Sequence, residues 1–156
     1  MDKSNTQPSK LDLGIDIDGV ITASPDFFAS LSNQWRQEGG RVHIVSSRSD
    51  NLETRRATLN ELRTLGIVFD QLYLLPSIEV AQKCCPLSSL DWYQKYLWQK
   101  VDCCIKHGIG HFYDDDAKVV ELFRLIAPEI KIIHYVDGTN NARRSCKPHR
   151  AVNQIE

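Results

Sequence analysis

The sequence predicts an α/β protein built on a mainly parallel sheet with helices on both faces. Three observations carry this reading. Short apolar runs alternate with longer amphipathic stretches through most of the chain, and such alternation implies parallel strands joined by crossover helices. Glycine or proline stands at the junctions, at Gly39-Gly40, Gly66, Pro76 and Gly108, where helices stop and turns begin. Asp16, Ser46 and Asp114 fall at the carboxyl ends of expected strands, the end at which open α/β sheets bind ligands.

The elements follow in order. The first strand is expected over 11–17. A helix over 25–38 comes next, with Ser24 as N-cap and Pro25 at its first position. Phe27, Phe28, Leu31 and Trp35 give it an apolar stripe, and Gly39-Gly40 ends it. A short second strand over 42–45 runs into Ser46-Ser47-Arg48. The second helix is expected over 50–65, capped by Ser49 or Asp50, with Leu59, Leu62 and Leu65 buried and Gly66 as its stop. A third strand over 72–75 closes at Pro76. The stretch through Cys84-Cys85-Pro86 is read as irregular. Ser88 or Ser89 is expected to cap a helix reaching about His107. A fourth strand over 111–113 enters Asp114-Asp115-Asp116, and a helix over 117–126 and a fifth strand over 130–135 complete the alternation.

A chain of 156 residues holds one ordinary domain. Three parts are expected: a polar segment over 1–10, a catalytic domain over 11–137 and a basic polar tail over 138–156. The tail carries Arg143, Arg144, Lys147 and Arg150 and is read as solvated. The formal net charge of -1 points to neither nucleic acid nor an anionic membrane. No apolar run reaches membrane-spanning length, and 1–10 lacks the apolar core of a signal peptide. A soluble cytoplasmic protein without a membrane partner is expected. The five cysteines include two adjacent pairs, Cys84-Cys85 and Cys103-Cys104. That is a poor disulfide framework and a poor zinc hook, so free thiols are expected. Trp92 and Tyr93 are expected to pack in the core, and His107 and His111 to serve packing or the surface.

Residues Gly14-Ile15-Asp16-Ile17-Asp18-Gly19-Val20-Ile21 carry the strongest chemical signal. Side chains two apart on a strand share one face, which places the Asp16 and Asp18 carboxylates together at the rim of the sheet. Like charges so placed call for a proton or a cation between them, and a hard divalent ion such as Mg²⁺ suits carboxylates.

With the downstream residues, the chain resembles the haloacid dehalogenase superfamily. Asp16-Ile17-Asp18-Gly19-Val20 resembles its first motif. His43-Ile44-Val45-Ser46 resembles the second, Lys100 the motif lysine, and Phe112-Tyr113-Asp114-Asp115 the fourth, all in the right order. The resemblance implies a three-layer α/β/α Rossmann-like fold with five strands in the order 3-2-1-4-5. It also implies a Mg²⁺-dependent phosphatase working through an aspartyl-phosphate. Asp16 would be the nucleophile and Asp18 the acid and base. Ser46 would donate to a phosphoryl oxygen, and Lys100 would offset negative charge. Asp16, Asp18 (through its carbonyl), Asp114 and Asp115 would hold the metal, and Gly19, Ser46, Ser47 and Arg48 would contact substrate. Three choices stay open: Lys95 or Lys106 in place of Lys100, Ser47 in place of Ser46, and Asp116 as ligand or helix cap.

The acid at Asp18 favours phosphoryl transfer over carbon–halogen cleavage in this family. Neither 19–41 nor 76–90 has room for the large cap domain of many relatives. An open site implies a phosphorylated small molecule or an exposed phosphoryl group on a macromolecule, or a homo-oligomer that covers the site. The alternatives are a non-catalytic module binding protein or nucleotide, and a phosphatase acting on nucleotides or nucleic-acid ends.

Overall fold

The centre of the sheet is β1 (Asp12–Ile15), whose Leu13 and Ile15 are fully buried. The structure, a computed structural model, describes residues 11–136 and the backbone of a strand over 150–155. The segment over 1–10 and the tail over 137–149 lie outside the described residues.

β1 is followed by α1 (Pro25–Gln37), β2 (Val42–Ser49), α2 (Leu52–Thr64), β3 (Gln71–Leu75), α3 (Ile78–Cys84), α4 (Trp92–Lys106), β4 (Ile109–Asp114), α5 (Ala117–Ile126) and β5 (Lys131–Val136). These five strands are parallel, in the order β3-β2-β1-β4-β5. This is the three-layer Rossmann-like arrangement expected from the motifs. A further strand, β6 (Arg150–Ile155), pairs antiparallel with β5 inside the stretch read as tail. Among the described residues no helix is long and apolar enough to cross a membrane.

Two cores flank the sheet. On one face Leu13, Ile15, Ile44 and Leu74 pack with Phe28 of α1 and Leu62 of α2. On the other, Val45, Leu75, Phe112 and Ile132 pack with Val101 and Cys104 of α4 and Phe123 of α5. Gly14 belongs to the second face: a Cβ there would lie 2.7 Å from Phe112 Cδ2, so glycine lets the Phe112 ring seat against β1. Both Cys103 and Cys104 are buried, and Cys84, Cys85, Cys103 and Cys104 are free thiols. Burial pushes Cys103 up to about 12 and Cys104 well above the ordinary thiol range. His107 stacks on Tyr73 and His111 meets Trp35 edge-on.

Several caps differ from expectation. β2 runs on through Ser49, so α2 starts later and Asn51 caps it, its Oδ1 accepting from Thr54 N–H at 2.8 Å. The stretch read as irregular contains α3, capped by Ser77. α4 is capped by Asp91 rather than by Ser88 or Ser89. Asp91 accepts from Gln94 N–H at 2.8 Å while its own N–H donates to the Gln94 side chain at 3.0 Å, the reciprocal bonding of a capping box. Trp92 is 57% exposed rather than core, because it opens that helix on the solvent side.

Candidate functional site

β1 ends at Ile15, one residue before Asp16. Asp16 keeps an extended backbone, and its N–H donates to the Tyr113 carbonyl of β4 at 3.1 Å. The chain then turns tightly over Ile17–Ile21, broken at Asp18 and at Gly19, where φ is +81°. The turn, rather than strand alternation, therefore sets the place of Asp18, which lines the same cleft as Asp16 without joining its carboxylate cluster. Gly19 is needed twice over. Its φ favours glycine, and a Cβ would fall 2.1 Å from Asp115 Oδ2. Its N–H donates to Thr22 Oγ1 at 3.0 Å, bracing the turn.

Because β1 and β4 are neighbours with Ile15 opposite Tyr113, the next residue of each, Asp16 and Asp114, emerges at the same rim. Carboxylate oxygens of Asp16, Asp114 and Asp115 lie within 4.8 Å of one another, a set that could hold a metal ion. Asp114 is fully buried and Asp16 is 5% exposed. Lys100, on α4, sends its ammonium between them, with Nζ 2.7 Å from Asp114 Oδ2 and 3.3 Å from Asp16 Oδ2. The other two candidate lysines are elsewhere: Lys106 pairs with Asp102 on its own helix, and Lys95 is only half-buried. Asp116 caps α5 through Lys118 N–H at 2.9 Å and accepts from Tyr93 Oη at 3.2 Å, so both its oxygens are already engaged. His134 Nε2 meets the Asp115 carbonyl at 3.0 Å.

Asp18 is held by Arg48. The guanidinium donates from Nε to Asp18 Oδ2 at 3.0 Å and from Nη2 to Oδ1 at 2.8 Å. Its Nη1 donates to Glu61 at 2.6 Å and to Thr58 Oγ1 at 3.2 Å. Sequence reasoning missed Glu61 and Thr58, because nothing in a helix pattern marks two residues of α2 as partners of an arginine on β2. Ser46 is buried, and its Oγ accepts from Arg48 N–H at 3.1 Å. Ser47 lines the cleft over the carboxylates, a cavity of about 340 Å³ that also includes Tyr93, Tyr96 and Lys100.

No protein-family model matches the chain, and no curated protein matches it. A chain of the solved Pnkp1/Rnl/Hen1 RNA repair complex shares its fold. The two are 15% identical and superpose with a TM-score of 0.51, over 100% of this chain and 48% of that one. The present chain thus spans about half the length of this structural neighbour.

The electrostatics follow from burial. Desolvation first, then the Asp114 carboxylate, raises Asp16 to about 8 against the pull of Lys100. Burial and Asp114 also raise Asp115. Hydrogen bonding to Arg48 lowers Asp18. Burial disfavours the Lys100 ammonium, but Asp114 and Asp16 outweigh it and hold it protonated. Between about pH 4 and pH 8 the metal-free folded protein therefore keeps a proton on Asp16 that the unfolded chain has released, so stability falls as pH rises. In a chelating buffer the melting midpoint should drop by ~5 °C or more from pH 5 to pH 8. The same scan on Asp16→Asn should be markedly shallower, keeping only the part that raised Asp115 contributes; an equal slope in the variant would remove Asp16 as its source.

Proposed function

We propose that this protein is a Mg²⁺-dependent phosphatase of the haloacid dehalogenase type, hydrolysing a phosphomonoester through an aspartyl-phosphate on Asp16. The observation that carries the reading is the cluster of buried Asp16, Asp114 and Lys100 with exposed Asp115 at the carboxyl rim of the central strands. Three carboxylates against one ammonium leave two negative charges, the complement of a divalent cation. The donors are all oxygen, as a hard ion requires, so the residues fit Mg²⁺. Asp16, Asp114 and Asp115 would hold it, with the Asp18 carbonyl completing the set that the motif resemblance implies. When bound, the ion offsets the repulsion between an anionic nucleophile and an anionic substrate.

The chain's own residues supply the rest. An Asp16 carboxylate oxygen attacks phosphorus, and the bond from phosphorus to the leaving oxygen breaks. Lys100 keeps Asp16 ionised once the proton is displaced and stabilises charge on the phosphoryl oxygens. Ser47, which lines the cleft, and the neighbouring buried Ser46 supply hydroxyl donors. Arg48 holds Asp18 ionised in the free protein, so Asp18 acts only once substrate draws it off that pair and it takes up a proton. It then gives that proton to the leaving oxygen and takes one from the water that attacks the aspartyl-phosphate. Inorganic phosphate leaves and the Asp16 carboxylate is restored. Arg48 anchors Asp18 at the mouth of the site and offers a further donor to substrate.

The test is a panel of phosphorylated metabolites, a generic aryl phosphate and phosphorylated oligonucleotide ends, assayed with Mg²⁺. The structural neighbour from an RNA repair complex motivates the last group. Hydrolysis of none of them by the wild type would favour a non-catalytic binding module. Asp18→Asn should lower turnover by ~10²- to 10⁴-fold. Because the second step then lacks its base, a phosphoryl adduct should accumulate, read by intact mass after rapid quench. An Asp18→Asn enzyme as fast as wild type would remove the acid–base assignment.

A further inference from the structure

A second cavity, of about 610 Å³, opens beside the carboxylate cleft, and the two share Ser47 and Tyr96. At their junction Tyr96 Oη donates to the Ser47 carbonyl at 2.9 Å, so α4 and the end of β2 are tied where the cavities meet. The second cavity is floored by the ends of β2 and β3 and by the start of α3. Its polar groups include the hydroxyls of Ser49 and Ser77 and the carboxylates of Asp50 and Glu79. Its apolar wall includes Ile78 and Val80, which are 37% and 42% exposed, and the Tyr96 side chain.

The charge of this surface is informative. Among the described residues, no lysine, arginine or histidine lines the second cavity, and Lys100 is the only cationic residue lining the first. Arg55 reaches one oxygen of Asp50 at 3.5 Å but does not line the groove. A second phosphate here would face the Asp50 and Glu79 carboxylates, whose cationic neighbours Arg55 and Lys83 stand outside the groove, and like charge at close range lowers affinity. Neutral hydroxyl groups meet a better environment, because the carboxylates accept their hydrogens, the Ser49 hydroxyl can donate and accept while Ser77 is taken up capping α3 and bonding Glu79, and an aromatic ring and aliphatic wall cover the carbon skeleton.

We propose that this groove is the leaving-group subsite, and that it selects a monophosphate ester of an uncharged, polyhydroxylated small molecule such as a sugar or polyol. The proposal rests on the phosphatase reading above, since it places the phosphoryl group over Asp16 and runs the leaving group past Ser47 and Tyr96. It sets aside a nucleic-acid end, whose adjoining phosphates would enter the acidic groove.

The experiment compares kcat/KM for a small aryl phosphate, a panel of sugar and polyol monophosphates, the matching bisphosphates and a 3′-phosphorylated oligonucleotide. At least one sugar or polyol monophosphate should exceed its bisphosphate and the oligonucleotide by ~10-fold or more. In Glu79→Lys the ratio of monophosphate to bisphosphate should fall by ~10-fold, with the melting midpoint checking that the fold is kept. Ser49→Ala, which keeps the charge, should lower kcat/KM for the preferred ester relative to the aryl phosphate. Aryl phosphate hydrolysis with no such preference, or with the oligonucleotide preferred, overturns the subsite and leaves the phosphatase reading standing. Hydrolysis of nothing in the panel overturns both.

Discussion

Asp16→Asn will lower phosphomonoester turnover by ~10⁴-fold or more while leaving the domain folded. The loss follows from the chemistry: an amide cannot open the displacement at phosphorus that a carboxylate does, and the neighbouring buried carboxylate is already taken up. Asp114 is engaged by Lys100 and by the Asp116 N–H. The retained fold follows from the electrostatics. Burial and Asp114 already hold Asp16 near its neutral form in the absence of metal, and asparagine is the neutral isostere. The melting midpoint of metal-free Asp16→Asn at pH 8 should therefore equal or exceed that of wild type. Turnover within tenfold of wild type, measured on the best substrate of the panel, would remove Asp16 as the nucleophile.

Lys100→Met will destabilise the protein severely. The ammonium is the counter-charge for Asp114, which is fully buried, and also lies 3.3 Å from Asp16. Removing one partner of a buried ion pair leaves an uncompensated charge and typically costs about 3–5 kcal/mol. Methionine fills the space, so the cost is electrostatic rather than a cavity. The expected drop in melting midpoint is on the order of 10 °C at neutral pH, and it should shrink in acid as the carboxylates take up protons. Lys100→Met combined with Asp114→Asn should recover part of the stability but none of the activity, a coupling expected only of groups in contact. A single variant as stable as wild type at pH 7 would mean that the ion pair contributes nothing to folding.

The parts of the fold legible in the sequence were those written in local chemistry. α5 (Ala117–Ile126) has the expected bounds because its apolar period is strong and Asp116 caps it. The strand order 3-2-1-4-5 came from the motif resemblance rather than from pattern. α3 was missed because Ile78–Cys84 is too short to show a period. The capping box of α4 was present in the sequence as Asp91-Trp92-Tyr93-Gln94, but two nearby serines offered a competing cap. Within the site, Asp16, Lys100, Asp114 and Asp115 are brought together as their motifs suggested. Asp18 reaches the cleft it shares with Asp16 through the turn rather than through strand alternation, since a two-residue period holds only while the strand continues and β1 stops at Ile15. The Glu61–Arg48–Asp18 chain was illegible because its members sit on separate elements and meet only after packing.

The parallel pairing of β1 with both β2 and β4 sets an order of events during synthesis. β1, which leads into Asp16, leaves the ribosome early, yet its second neighbour is made only after four further helices and two further strands. Until then the Asp16 rim has no Asp114, and Lys100 has no place to dock. Assembly of the carboxylate cluster is thereby deferred to the last stages of synthesis, and chains halted before β4 lack the site as well as the finished sheet.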